Sequence, residues 1–240
     1  MQTNWVELDV TGEKMPCYVA EPGGAPRGGV IVIQEIFGVN ADMQRIGELV
    51  ASDGYLAVVP ALFHRTDPQF EASHDEAGFA KGRAASSAID GQQLVADLTA
   101  ASDYLYERLG ADARVATWGF CFGGSIAYMS ATLPFVDAAV SFYGAQIAQS
   151  PGPNRPALVE LTPQIHAPLL LAFGGRDPYI PPEDVETIRE ALDEHHKSFD
   201  LLVYAGEDHG FFREGPTGSQ GAAQAWARVQ AFLASHLTAS

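Results

Sequence analysis

The chain predicts an α/β fold, a mostly parallel central sheet with helices on both faces. Two observations carry that expectation. Runs such as Gly29-Val30-Ile31-Val32-Ile33 and Leu169–Phe173 are apolar at every position, as a strand buried on both faces requires. These runs alternate with longer segments of helical period, the pattern of successive βαβ units. At 240 residues, one α/β domain is long enough to bury a full core, so a single domain over 1–240 is expected.

The elements follow in order. Glu7–Val10 and Met15–Ala20 read as two strands joined by the turn-forming stretch Thr11–Lys14. After the first buried strand, a helix is predicted over Ala41–Asp53, with Asn40 as its N-cap and Gly54 just beyond its end. Then come a strand at Tyr55–Val59, a long polar loop through Pro60–Phe79, and a helix near Ile89–Leu109. Arg114–Trp118 is strand-like and a helix follows from Gly124, with further buried strands at Val136–Phe142 and Leu169–Phe173. A helix near Pro182–His195, a strand at Phe199–Tyr204 and a helix near Gly221–Leu237 complete the pattern. The Pro/Gly-rich stretch Ser150–Arg155 reads as a surface loop.

Composition narrows the function classes. Thirty acidic against 14 basic residues give a formal charge of −16, which disfavours nucleic acid and anionic membranes as partners, because phosphate binding needs concentrated Lys and Arg. No apolar stretch is long enough to span a bilayer, and the first residues have neither the basic region nor the apolar core of a secretory signal. Cys17 and Cys121 are the two cysteines and form neither a disulfide framework nor a zinc-type spacing. A reducing, cytoplasmic location is therefore expected. His64, His74, His166 and His236 show no metal-ligand spacing, and the glycines near Cys121 do not form a phosphate loop. Neither a metal nor a cofactor is expected.

The chemistry centres on Gly119-Phe120-Cys121-Phe122-Gly123, set between a strand and a helix. A nucleophile flanked by glycines two residues away on a strand–turn–helix is the nucleophile elbow of α/β-hydrolases, with cysteine in the serine position. On that fold an acid and then a histidine follow, each beyond the end of a later strand. Asp177 lies in Gly174-Gly175-Arg176-Asp177-Pro178 after one predicted strand, and His209 in Ala205–Phe211 after the next. Asp208 is the competing partner for His209, but its neighbouring place in the chain points its side chain elsewhere.

The chain resembles the dienelactone hydrolase family, a carboxymethylenebutenolidase-like branch of α/β-hydrolases. The likeness covers nearly the whole chain and rests on Gln34–Asn40, Gly119–Gly124, Ser141–Gly144, Gly174–Pro178 and His209–Arg213. The resemblance implies a Cys121–His209–Asp177 triad. It also implies that Glu35 contacts the resting thiol and takes its proton when substrate arrives. The backbone N–H groups of Phe122 and Ile36 would then form the oxyanion hole. Family members that act on dienelactones hold the substrate carboxylate with arginines. Arg213 falls where one is expected. Arg83, with Lys81 nearby, lies in the region of a second, although its flanking sequence departs from the family pattern. Phe37, Tyr143 and Phe211 are candidates to line the pocket. The segment Gln146–Thr162 departs from the family's shorter path.

The expected function is hydrolysis of a small carboxylate-bearing lactone or ester through a thioester, which the resemblance places in aromatic-compound breakdown. A small molecule is the expected partner, handled by a monomer or small homo-oligomer. Two alternatives stand beside it: a general carboxylesterase of other acyl preference, and a non-catalytic redox-sensing or ligand-binding protein on the same fold.

Overall fold

The computed structural model describes residues 1–150 and 156–237. Eight strands hydrogen-bond in the order β1-β2-β4-β3-β5-β6-β7-β8. Their residue spans are β1 Gln2–Val10, β2 Glu13–Glu21, β3 Gly29–Ile33, β4 Leu56–Pro60, β5 Val115–Phe120, β6 Ala138–Phe142, β7 Leu169–Gly174 and β8 Phe199–Tyr204. The pairs β3–β4, β6–β7 and β7–β8 are parallel, while β1–β2 and β2–β4 are antiparallel. Every residue of β3, β4, β5, β6 and β7 is buried, as their continuous apolar runs require. No helix among the described residues is long and apolar enough to cross a membrane.

The chain divides into two compact units, one of Met1–Ala116 with Leu237 and one of Thr117–His236. The first begins with a hairpin whose two turn residues, Thr11 and Gly12, have φ of 54° and 91°. Two successive positive φ values give a turn whose twist matches that of the flanking strands. Asp9 fastens this turn by accepting from the Gly12 N–H at 2.9 Å. Both strands run longer than their hydrophobic pattern predicts, β1 reaching back to Gln2. The extra length comes from ladder pairing, with Gln2 opposite Glu21 and Asn4 opposite Val19, which exposed polar side chains do not oppose.

Helix α1 (Ala41–Ser52) matches expectation closely. The Asn40 side chain accepts from the N–H groups of Asp42 and Met43, and Gly54 follows at φ 92°. The expected loop over Pro60–Phe79 is a correction: its end already belongs to α2 (Glu76–Ser87), started by Asp75, which accepts from Gly78 N–H at 2.8 Å. Helix α3 (Gly91–Leu109) is capped by Asp90 in the same manner. Its buried Asp97 reaches back to the stretch before α2, meeting His64 Nε2 at 3.2 Å and Arg65 Nη1 at 2.8 Å.

The second unit carries α4 (Phe122–Ser130), α5 (Pro182–Glu194) and α6 (Gln220–Leu237), with 3-10 turns at Leu158–Gln164 and Gly215–Thr217. Strand β6 begins at Ala138 rather than Val136, because Val136 N–H is taken by a turn to Leu133 O. The core is aromatic. Trp118 of β5 stacks on Trp226 of α6 with centroids 5.6 Å apart and planes 9° apart, and it packs edge-on to Phe142. Such pairs add about 0.5–1.5 kcal/mol beyond the area they bury. Most of the expected Ser150–Arg155 loop lies outside the described residues.

Candidate active site

In the first unit, β3 ends into the loop Gln34–Asn40. Gln34 is buried and bridges two loops, donating from Nε2 to Glu35 O and accepting from Leu62 N–H at Oε1. Glu35, Ile36 and Phe37 are all buried. The turn closes at Gly38, φ 84°, where an added Cβ would stand 2.1 Å from Phe70 O. Only glycine fits there, and the contact sets the loop against the stretch that precedes α2. The Phe37 ring lies edge-on to His74 at 4.4 Å. In α2, a Cβ on Gly82 would sit 2.3 Å from Ile36 O, so that helix presses its backbone directly on the loop. The next residue, Arg83, is exposed, and Lys81 is engaged with the Glu71 carbonyl and the Phe70 ring.

In the second unit, Cys121 has φ 53° and ψ −112°, a conformation L-residues rarely adopt, between β5 and the first turn of α4. Its N–H donates to Phe142 O at 3.0 Å, and its carbonyl accepts from Ser125 N–H. The glycines explain how the turn closes. A Cβ on Gly119 would lie 1.8 Å from Gly123 O, and one on Gly124 would lie 2.6 Å from Phe142 O. Cys121 is partly exposed and stands at the N-terminal end of α4. Cys17 differs in every respect: it is fully buried in β2, and burial pushes its thiol far up.

Beyond β7 and β8, His209 Nδ1 and Asp177 Oδ2 lie 2.7 Å apart, and the Asp177 side chain is fully buried. The other Asp177 oxygen accepts from Tyr179 N–H at 2.8 Å. Both carboxylate oxygens are thereby committed, and Nε2 remains the imidazole atom turned away from the acid. Asp208 is exposed and pairs with Arg176 at 3.6 Å, so Asp177 holds the histidine. Two tyrosine rings lie against the His209 imidazole with centroids 5.1 Å away, the buried Tyr143 and the exposed Tyr179. Tyr143 follows directly after Phe142, the residue that accepts from Cys121 N–H. One strand end therefore adjoins both Cys121 and His209.

Phe211 stacks on Phe142 at 5.8 Å, and the Arg213 guanidinium folds back over Gly210. Gly210 has φ 75°, and a Cβ there would meet the guanidinium carbon at 2.6 Å. The glycine thus permits both the turn after His209 and the return of Arg213 toward it. Sequence reasoning missed Tyr179 and Glu207. Tyr179, two residues after Asp177 in a Gly–Pro-rich loop, could have been found as an aromatic beside the predicted acid. Glu207 carries no local sequence signal, since its partners, Ser219 and Gly221, lie on a later element.

Residues 15–237 match the model of the dienelactone hydrolase family. A Synechocystis protein named "Putative carboxymethylenebutenolidase" is 37% identical over 99% of this chain and 98% of its own length. The Pseudomonas putida carboxymethylenebutenolidase is 29% identical, covering 90% of this chain and 88% of that protein. Among solved structures, one titled "Putative Dienelactone Hydrolase", from Klebsiella pneumoniae, superimposes with a TM-score of 0.85 at 31% identity, covering 98% of this chain and 99% of that one.

Proposed function

The chain belongs to the dienelactone hydrolase family, and on that premise we propose that this hydrolase opens a small carboxylate-bearing lactone or ester through Cys121. The observation that carries the reading is the 2.7 Å pairing of His209 Nδ1 with the buried Asp177, in the same unit as the strained turn bearing Cys121. Asp177 fixes the tautomer in which Nδ1 carries the proton, leaving Nε2 as the base. A free thiol is only a few per cent thiolate at neutral pH, so the nucleophile needs a proton acceptor. The family resemblance gives that task to Glu35 in the resting enzyme.

The thiolate adds to the carbonyl carbon, and the negative charge moves to the carbonyl oxygen. The N–H groups of Phe122, at the head of α4, and of Ile36 are the proposed donors to that oxygen. Collapse expels the ring oxygen, which stays attached to the acyl chain and takes the proton held by Glu35, and leaves a thioester on Sγ. His209 then takes a proton from water, whose oxygen attacks the thioester and expels the thiolate, and the His209 imidazolium returns that proton to Sγ. Arg213 holds the substrate carboxylate, with Arg83 as a second candidate. Phe37, Tyr143 and Phe211 shape the acyl side. The names of the relatives support a lactone substrate; the place in aromatic-compound breakdown rests on the family resemblance alone.

The test is kcat/KM on cis- and trans-dienelactone beside a neutral p-nitrophenyl ester, for wild type, Cys121→Ala and Arg213→Ala. We expect a strong dienelactone preference, no turnover by Cys121→Ala, and a KM increase in Arg213→Ala confined to the charged substrates. Turnover of the neutral ester alone would make the protein a general carboxylesterase. No turnover of either would leave the ligand-binding alternative.

A further inference from the structure

Residues Ala205–Asp208 connect β8 to His209 and are gripped from two sides. On one side is the loop after β7, which carries Asp177. Gly175 N–H donates to Tyr204 O at 2.8 Å, Arg176 N–H donates to Glu207 O at 2.9 Å, and the Arg176 guanidinium donates to Gly206 O. The contact is close enough to require glycine. A Cβ on Gly174 would stand 2.6 Å from Glu207 O, and one on Gly175 would stand 2.6 Å from Ala205 Cα.

On the other side is the start of α6. Glu207 Oε1 accepts from Ser219 Oγ at 2.7 Å and from Gly221 N–H at 3.1 Å. Ser219 Oγ in turn accepts from Ala222 N–H at 3.0 Å. Space for the carboxylate exists because residue 221 is glycine: a Cβ there would lie 2.4 Å from Oε1. A carboxylate is the group that the free N–H donors and dipole of a helix N-terminus favour. Helix α6 is itself fixed, since its Trp226 stacks on Trp118 of β5, the strand that leads into Cys121, and its Val229 and Leu233 are buried.

We propose that Glu207 is a positioning residue for His209. Its carboxylate ties the base-bearing loop to α6, the helix packed on the strand that delivers the nucleophile. One helix then serves as a common reference for both groups, and the loop after β7 completes the alignment with Asp177. Displacement of the imidazole by a fraction of an ångström would leave binding intact and slow the chemical steps.

The experiment compares Glu207→Ala, Glu207→Gln, Gly221→Ala and His209→Ala in the full chain, and reads two quantities. The first is the split between kcat and KM on an activated ester. The second is the downfield proton resonance of the His209–Asp177 hydrogen bond, assigned by its loss in His209→Ala. Glu207→Ala and Gly221→Ala are expected to lower kcat by roughly 10- to 100-fold with KM nearly unchanged, and to shift or broaden the resonance. Gln keeps the accepting oxygen, so Glu207→Gln should recover most of the rate and the resonance. Gly221→Ala retains the carboxylate but evicts it, so it answers the question even where Glu207→Ala folds poorly. Reduced stability with unchanged kcat and resonance would reduce Glu207 to a helix cap and overturn the proposal. Because His209 acts as the base only under the function proposed above, wild-type turnover in His209→Ala would sink that function. The resonance would still report on Glu207.

Discussion

Glycine does the same physical work at the Cys121 elbow and in α2, letting one backbone come close against another, although the two regions differ in what surrounds it. At the elbow, a Cβ on Gly119 would lie 1.8 Å from Gly123 O; in α2, a Cβ on Gly78 would lie 1.9 Å from Ser73 O and one on Gly82 2.3 Å from Ile36 O. Both are places where two backbones touch. The elbow glycines flank a cysteine between a strand and a helix, a sequence context that marks them as a tight turn. In Glu76–Ser87 the glycines subtract about 1 kcal/mol each from intrinsic helix propensity, so its start, to Phe79, reads as loop and the rest carries no helix signal. A glycine that marks a contact is indistinguishable from one that marks a break until its neighbour across the fold is known.

Substitutions can break or sharpen this comparison. The largest effect is expected from Gly119→Ala, where no flexible atom can yield: a loss of at least about 3 kcal/mol by urea denaturation, with no turnover. Tolerance of alanine there would end the equivalence between backbone contact and glycine. Next is Asp97→Ala, which strips the buried partner from His64 and Arg65 and loosens the stretch leading to α2. We expect a loss of about 3 kcal/mol, read from the same denaturation curves. Gly82→Ala comes third. Alanine gains about 0.5–1 kcal/mol of helix propensity but collides with the Ile36 carbonyl. Net stability should fall by about 1 kcal/mol, whereas kcat drops roughly tenfold because Ile36 bears a proposed oxyanion donor. Should stability rise with activity intact, α2 would be an ordinary helix with poor residues. The smallest change is Asp75→Ala, which removes the cap on Gly78 N–H and should cost about 1 kcal/mol, with faster hydrogen exchange in the first turn of α2.

Legibility followed range of interaction. The buried strands β3 and β7 were visible because every residue in them is apolar, and α1 because Asn40 and Gly54 punctuate it locally. Asp177 and His209 were visible because the order of loops after strands is a property of the chain itself. The early part of β1 was not, since its pairing with β2 holds polar, exposed residues that no hydrophobic pattern marks. The links from Asp97 to His64 and from Glu207 to Ser219 span elements far apart in sequence, and neither partner carries a mark of the other.

The contrast between the two thiols gives the protein a built-in counter. Cys121 is partly open, whereas Cys17 is sealed in β2 with its ionisation suppressed by burial. An alkylating reagent should therefore consume one equivalent per native chain and a second only after denaturation. The ratio of the two stoichiometries reports the folded fraction of any preparation. With Cys121 as the proposed nucleophile, the first equivalent would also count active sites, so a turnover number could be normalised without a substrate that leaves a burst.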